Sequence, residues 1–293
     1  MAAALAHDYR EDLIVGRRFW KMSGSGNDFV VFDARADEPG STAEERPEVI
    51  QALCARGTGV GADGVIFVAK AGHAGALLAM RYYNGDGSRT FCGNATLCVT
   101  RLARELGVTT TRDLLLETDS GIVAAREGDL GPEIELPPVS EVWEGVSELA
   151  TIAGERRIGF ALVGVPHLVV RCEDVADVRV HDRGGELRRS GFRADGANVN
   201  FVSERNGSWS MRTYERGVEA ETLACGSGAI ASAILLHRWN ESSDRTAFRT
   251  RSGRTLTVRL RREGESWRPT LAGEGRIVFT GELAELSTVS AAG

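Results

Sequence analysis

One motif occurs twice in this chain and limits the folds that the chain can adopt. The first copy starts with Met80–Tyr83 and ends in Cys92–Ala95, and the second starts with Met211–Tyr214 and ends in Cys225–Gly228. Each copy begins with Met-Arg-x-Tyr, passes through a polar loop that contains glycine, and leads directly into a long apolar segment. Two copies of one motif predict two related halves, each with a cysteine immediately before a helix.

Further landmarks recur in the same order in both halves. The segment Gly24–Phe32 is matched by Phe160–Val170, and Gly61–Val68 is matched by Gly196–Val202. A duplicated domain accounts for these repeats. The segment Ala229–Trp239, after the second cysteine, is apolar on almost every side, so we expect a helix that strands wrap on all faces.

Hydrophobic periodicity assigns the remaining elements. We expect a tight glycine-rich loop over Met22–Asp28, and a helix over Thr42–Arg56 that Pro47 interrupts near its start. A second helix, with its apolar residues within Ala95–Leu106, should stop at Gly107. The predicted strands are Phe29–Phe32, Val65–Val68, Leu77–Tyr83, Leu114–Leu116, Ile122–Ala125, Ile134–Leu136, Thr255–Leu260 and Ile277–Phe279.

These elements predict an α+β fold with two pseudo-symmetric domains. Each domain would consist of mostly antiparallel strands curled round a central helix, with the active site in the cleft between the domains. We expect a mobile N-terminal extension over residues 1–18, a first half over residues 19–137 plus 278–293, and a second half over residues 138–277. The boundary falls at Pro137-Pro138.

Composition excludes several classes of protein. The net charge of −6 gives no overall attraction to nucleic acid or to an anionic membrane. Five cysteines without a Cys-x-x-Cys pair or a secretory signature indicate a reducing compartment. No run approaches the roughly 18 apolar residues that a membrane helix needs. The prediction is a soluble cytoplasmic protein with no nucleic-acid and no membrane partner.

A pair of thiols without an obvious metal or cofactor motif suits one kind of reaction. Inverting the α-carbon of an amino acid requires a base on one face and an acid on the other. Cys92 and Cys225 fit this task because a thiol pKa of about 8.5 falls at a helix N-terminus, so a thiolate and a thiol can coexist near neutral pH. Backbone N–H groups of Gly93-Asn94 and Gly226-Ser227 would hold the substrate carboxylate. We predict no cofactor and no metal.

Several motifs together resemble those of diaminopimelate epimerases. The resemblance runs from Phe19 to Phe279, nearly the whole chain, and the set of motifs is specific. The residues that carry it are Gly24-x-Gly26-Asn27-Asp28-Phe29, Gly59-x-Gly61-x-Asp63, Asn84-x-Asp86-Gly87-Ser88-x-x-x-Cys92-Gly93-Asn94, Pro166-His167, Asn198-Val199-Asn200-Phe201, Tyr214-Glu215-Arg216-Gly217 and Glu221-Thr222-x-x-Cys225-Gly226.

The resemblance implies a reaction and a set of roles. The reaction is the cofactor-independent interconversion of L,L- and meso-diaminopimelate, for lysine and peptidoglycan precursor synthesis, in a homodimer. Cys225 would accept the proton and Cys92 donate it in the L,L-to-meso direction, while His167 and Glu215 tune or position the pair. Arg216 would pair with the distal carboxylate. The other implied substrate contacts are Asn27, Asn84, Gly93, Asn94, Asn200, Gly226 and Ser227.

Departures from the family pattern leave other functions open. Val165 replaces an Asn that many members carry before Pro-His, Ala95 and Leu97 replace a Gly and an Arg, and Gly64 stands where some members have a Gln. A cofactor-free racemase or epimerase of another amino acid is one alternative, and a dithiol–disulfide switch of the two cysteines is another. A zinc site of Cys92, Cys98, Cys225 and His167 has poor ligand spacing. We interpret Cys54, Cys98 and Cys172 as core thiols.

Overall fold

The computed structural model describes residue 14, residues 16–37 and residues 43–286. The predicted N-terminal extension therefore lies mostly outside the described residues. Within its described part, Ile14 is buried and Arg18 already begins the first strand. No helix in the described ranges is long and apolar enough to cross a membrane.

The first half contains nine strands and two helices in the described ranges. In chain order they are β1 (Arg18–Gly24), β2 (Asn27–Asp33), α1 (Pro47–Cys54), β3 (Gly64–Ala69), β4 (Leu78–Asn84), β5 (Arg89–Thr90), α2 (Gly93–Glu105), β6 (Asp113–Thr118), β7 (Gly121–Gly128), β8 (Gly131–Glu135) and β9 (Val142–Trp143).

The second half repeats this order. Its elements are β10 (Glu155–Val163), β11 (Val165–Cys172), α3 (Val180–Arg188), β12 (Asn198–Arg205), β13 (Ser208–Glu215), β14 (Ala220–Thr222), α4 (Gly226–Arg238), β15 (Arg245–Arg249), β16 (Thr255–Glu263), β17 (Ser266–Ala272) and β18 (Arg276–Glu282).

Strand pairing shows that the two halves share one topology. In the first half β2 pairs with β3, and β4 with β6, in parallel; in the second half β11 pairs with β12, and β13 with β15, in parallel. The other pairs are antiparallel, including the hairpins β1–β2 and β10–β11. The α+β fold with two pseudo-symmetric halves of mostly antiparallel strands is therefore confirmed.

The halves also exchange strands. β9 follows β8 of the first half but pairs with β10 of the second, and β18 follows β17 of the second half but pairs with β1 of the first. β8 and β17 pair directly with each other. Since these pairs cross between the halves, backbone hydrogen bonds join the halves at three places. The domain limits at residues 137 and 278 stay a prediction, and β18 begins two residues before the second limit, at Arg276.

The core explains why α2 and α4 are central. One apolar cluster contains the buried faces of both helices together with residues of the surrounding strands, such as Met22, Ile134 and Leu271. α4 is buried from Ala229 to Leu236 without interruption, as expected of a helix that is apolar on nearly every side. α1 and α3 pack in two separate outer clusters, one in each half.

Two predicted elements differ from the structure. The predicted helix over Thr42–Arg56 is a 3-10 turn at Ala43–Glu45 followed by α1, because Pro47 lacks an N–H and occupies the first helical turn. Thr42 itself lies outside the described residues. The predicted loop over Met22–Asp28 is a hairpin in which only Ser25 and Gly26 lie outside the strands, both with positive φ.

The β1–β2 hairpin docks on the second half. Oγ of Ser252, in the β15–β16 turn, donates to the Ser25 carbonyl at 2.7 Å, and the backbone N–H of Glu274 donates to Ser25 Oγ at 2.9 Å. Ser25 is fully buried there. Because the hairpin tip leads into Asn27, this contact holds a predicted site residue in place between the halves.

Candidate active site

Both repeated cysteines cap a central helix. Cys92 is the residue before α2, with φ −137° and ψ 118°, and Cys225 is the residue before α4, with φ −140° and ψ 110°. The Gly228 backbone N–H donates to Cys225 Sγ at 3.4 Å, and Ser227 Oγ is 3.6 Å from the same sulfur. The duplicated sequence thus produces the same local backbone twice, with a sulfur at each helix N-terminus.

The first turns of α2 and α4 adjoin in the interior. Cδ2 of Leu271, on β17, is 3.4 Å from where a Cβ atom would stand on Gly93 and 2.8 Å from where one would stand on Gly226. Asn94 Oδ1, in the first turn of α2, is 3.5 Å from the same Gly226 position. Both cysteines therefore lie at the junction where the two helices begin.

Burial raises the pKa of both thiols, to about 11 for Cys92 and to about 12 for Cys225. The negative charge of Glu215 raises both pKa values further, while backbone N–H groups of the first helical turns act in the opposite direction. The expectation of a lowered thiol pKa is therefore wrong for the free protein, because the loss of water around each sulfur outweighs the helix N-terminus. Both thiols are protonated near neutral pH.

His167 is a neutral imidazole behind this junction. Burial, and next the positive charge of Arg216, lower its pKa to about 3. Asn200 Nδ2 donates to the Leu168 carbonyl at 3.0 Å and lies 3.2 Å from His167 Nδ1. A carbonyl oxygen can only accept, so the amide nitrogen faces this way, Nδ1 is the acceptor, and the ring proton is on Nε2. Nε2 is buried and finds no partner among the described residues.

Asn200 is committed to internal hydrogen bonds. Its Oδ1 accepts from Thr213 Oγ1 at 3.0 Å, and its amide nitrogen is used as described above. The side chain is fully buried. These contacts orient His167, so a direct contact of Asn200 with a substrate stays a prediction that this geometry does not favour. Asn198, two residues earlier, is placed differently: its Oδ1 accepts from the Arg216 backbone N–H at 2.8 Å.

Glu215 is the last residue of β13, Arg216 follows it, and the two residues provide charges of the site. Burial is the main cause that raises the pKa of the Glu215 carboxyl, and the negative charge of Asp63 acts in the same direction. The charge of Glu215 acts on both cysteines, so these three groups lie within electrostatic reach of one another. In the described ranges the Arg216 guanidinium has no carboxylate within ion-pair distance, so its paired N–H donors are available to bind an anion.

The asparagines of the first half form hydrogen bonds with residues of the same half. Asn27 Nδ2 donates to Asp63 Oδ2 at 3.0 Å, and Asn94 Nδ2 donates to Asn27 Oδ1 at 2.7 Å. Asn84 ends β4 opposite Gly64 of β3, and its amide nitrogen donates to Ser88 Oγ at 3.0 Å. Asn27 is therefore joined to the first turn of α2 through Asn94, whereas the side-chain contact of Asn84 is within its own loop.

Three residues of the site were missed by sequence reasoning. Asp63 and Asn198 belong to motifs that the sequence displays. Nothing in those motifs shows which of their residues point their side chains into the site. Burial is the main cause that raises the pKa of the Tyr82 phenol, and the charge of Cys92 acts in the same direction. Its ring occupies the space beside Gly64, where an added Cβ would stand 2.4 Å from Cε2. Strand alternation places Tyr82 on the opposite face of β4 from Tyr83, and this alternation is the sequence pattern that could have identified Tyr82.

The candidate residues for a metal site are Cys92, Cys98, Cys225 and His167. Among the residues that the structure describes, no group of three or more His, Cys, Asp or Glu side chains is arranged to hold a metal ion.

Solved structures share this architecture. A phenazine biosynthesis protein of the PhzF family from Bacillus anthracis superposes with a TM-score of 0.70 at 15% identity, covering 91% of this chain and 98% of that chain. A hydroxyproline epimerase from Agrobacterium vitis superposes with a TM-score of 0.67 at 20% identity, covering 91% of this chain and 92% of that chain. At these identities the likeness concerns the fold alone.

Fold, paired cysteines and sequence relatives define the class: this chain is an isomerase of the amino-acid epimerase type. The family model of diaminopimelate epimerase matches residues 19–136 and 159–277. A diaminopimelate epimerase from Gemmatimonas aurantiaca is 45% identical over 279 residues, which cover 92% of this chain and 99% of the relative. One from Aquifex aeolicus is 38% identical, with coverage of 91% and 98%. The chain belongs to the diaminopimelate epimerase family.

Proposed function

We propose that this protein interconverts L,L- and meso-diaminopimelate by proton transfer between Cys225, the α-carbon and Cys92. The observation that carries the proposal is the pair of cysteines that cap two adjoining helices with nearly the same backbone angles. An α-carbon between two sulfurs can lose its proton to one of them, and the planar carbanion that results can gain a proton from the other. Inversion of the α-carbon needs no further co-reactant.

The pKa values require that substrate binding activates the base. In the free protein both thiols are neutral and Glu215 disfavours a thiolate. The α-ammonium of a bound amino acid would offset the charge of Glu215 and, together with the N–H groups at the helix N-terminus, would favour a thiolate. Once Cys225 has released its thiol proton to solvent, its thiolate removes the α-proton, and Cys92 delivers its own thiol proton to the other face.

The carbanion is stabilised through the substrate carboxylate. The N–H groups of Gly93-Asn94 and Gly226-Ser227 face the junction from two helix N-termini, where negative charge is favoured. His167 has its proton on Nε2, and this atom finds no protein partner among the described residues. It would therefore donate a hydrogen bond to the substrate from the Cys225 side. Arg216 holds the distal carboxylate through its fork.

Solvent isotope incorporation tests the reaction. In deuterium oxide, L,L-diaminopimelate should yield meso-diaminopimelate with one deuterium at the inverted α-carbon, because the donating thiol exchanges with solvent. The measurement is proton NMR with mass spectrometry of the product. Inversion without deuterium at that carbon would contradict the two-thiol transfer. Activity that appears only with an added oxidant or reductant would favour the thiol switch instead.

The substrate range has one specific alternative. Val165 is half-buried at the start of β11, next to Pro166-His167, and offers no hydrogen bond to a distal group. A racemase of a single-headed amino acid therefore stays a second candidate. Comparing kcat/KM for L,L-diaminopimelate with that for single-headed L-amino acids separates the two. The homodimer stays a prediction that sedimentation velocity of the purified protein checks.

A further inference from the structure

Three polar side chains form a line from the protein surface to the helix junction. Asp63 is half-buried at the outer end, Asn27 lies in the middle, and Asn94 is buried at the inner end in the first turn of α2. The two hydrogen bonds that join them measure 3.0 Å and 2.7 Å. The Arg56 guanidinium holds Asp63 from outside at 2.8 Å, and the Asp28 N–H donates to Asp63 Oδ2 at 3.2 Å.

The carboxylate fixes the direction of both amides. A carboxylate only accepts hydrogen bonds, so Asn27 must turn its Nδ2 toward Asp63. Asn27 then presents Oδ1 to Asn94, and Asn94 must donate to it from its own Nδ2. Each amide could otherwise rotate by half a turn and exchange donor for acceptor. Asp63 therefore decides, through Asn27, which end of the Asn94 amide faces the junction.

The end that faces the junction is an acceptor without a donor. Asn94 Oδ1 is buried, finds no partner among the described residues, and lies 3.5 Å from where a Cβ atom would stand on Gly226. A buried carbonyl oxygen without a hydrogen-bond donor destabilises the free protein, so this orientation of the Asn94 amide carries a free-energy penalty. A donor that enters the junction removes this penalty.

We propose that Asp63 is a positioning residue, which orients Asn27 and Asn94 so that Asn94 Oδ1 accepts a hydrogen bond from the α-ammonium group of the substrate. The inference rests on the proposed function, which brings an amino acid to this junction. An ammonium group is the donor that a substrate of this class offers beside its carboxylate. The substrate carboxylate would be repelled by Oδ1, so the orphan oxygen also determines which way round the amino acid lies.

Paired ligands isolate the ammonium contact. L-2-aminopimelate and pimelate have the same carbon chain and both carboxylates, and only the first has an α-ammonium group. In the wild type, calorimetry should show tighter binding of L-2-aminopimelate. In Asp63→Ala this preference should fall by about tenfold or more, as expected for loss of a charge-assisted hydrogen bond, while the affinity for pimelate stays within about twofold.

Two further variants separate positioning from general loosening. Arg56→Ala removes the ion pair of Asp63 but leaves the amide line intact, so it should keep the wild-type preference. In Asn94→Ala the preference is lost, and adding Asp63→Ala should change it no further, because Asp63 acts through Asn94. The preference is a ratio measured on one sample, so a partly unfolded fraction does not alter it.

The outcomes distinguish this inference from the proposed function. An unchanged preference in Asp63→Ala, or an equal loss of affinity for both ligands, overturns the positioning role even if the wild type epimerises diaminopimelate. Additive losses in the double variant would also overturn it. If the wild type inverts no amino acid and binds both ligands equally, the proposed function fails together with the inference.

Discussion

The two helix starts have almost the same backbone but different surroundings. Cys92 is half-buried, and its side of the junction is supported by a line of amides that ends in the carboxylate of Asp63. Cys225 is buried, and its side is supported by the neutral His167 and by Asn200. The duplication therefore supplied one geometry twice, and later divergence gave each thiol its own electrostatic environment.

A single position shows how far the halves have diverged. The third residue after the cysteine is Ala95 in α2 and Gly228 in α4. A Cβ atom on Gly228 would stand 2.1 Å from Asn200 Oδ1 and 3.2 Å from Cys225 Sγ, whereas Ala95 already accommodates its methyl group in the core. Asn200, which orients His167, is thus the reason that only α4 needs a glycine here.

Removing either sulfur should have the largest effect. Cys92→Ala and Cys225→Ala should each lower the rate of inversion by about 10²–10⁴-fold, because each loses one of the two proton carriers. The halves should differ in isotope exchange followed by NMR in deuterium oxide. Cys92→Ala should still exchange the α-hydrogen of L,L-diaminopimelate, and Cys225→Ala should not. Equal exchange of the L,L isomer by both variants would contradict the division of roles.

Replacing the third residue after each cysteine, Gly228 by alanine or Ala95 by glycine, should have the next largest effect. Gly228→Ala forces Asn200 to move, so we expect a loss of about 2–3 kcal/mol in the free energy of unfolding together with reduced kcat. The matched variant Ala95→Gly should lose only about 1 kcal/mol, from helix propensity, and keep most of its activity. Urea denaturation and initial rates measure both. A harmless Gly228→Ala would show that Asn200 does not restrict this position.

The smallest expected difference concerns thiol ionisation. Because burial raises the pKa to about 11 for Cys92 and about 12 for Cys225, both thiols are protonated at pH 8, and alkylation of each should accelerate as the pH rises from 8 to 10. At a given pH in this range the thiolate fraction should be larger for Cys92, whose pKa is the lower of the two. Iodoacetamide labelling followed by peptide mass spectrometry measures this. Faster labelling of Cys225 would reverse the proposed difference between the halves.

Much of the fold could be predicted from periodicity and the repeat. The helix Gly93–Glu105, its stop near Gly107 and the buried helix Gly226–Arg238 follow from apolar spacing and glycine placement. Short patterns were less informative. The Met22–Asp28 segment has the glycines of a loop, yet its ends complete strands β1 and β2, because strand pairing continues up to Gly24 and Asn27 on either side of a two-residue turn.

The polar side chains of the site were predicted less well than its location. Asn198 and Asn200 stand two residues apart on one strand, and the family resemblance implies that Asn200 contacts the substrate. The structure commits Asn200 to Leu168, His167 and Thr213. Such commitments depend on neighbours from other strands, which strand periodicity cannot identify.

The sequence by itself determined the duplication, the two helix-capping cysteines and the family, because these depend on local order and on motifs that are contiguous in the chain. Tertiary structure alone decided the pairing of β8 with β17, the protonated state of both thiols and the orientation of the Asn94 amide. Those properties depend on water exclusion and on hydrogen bonds between segments that are distant in the chain, such as Asp63, Asn27 and Asn94.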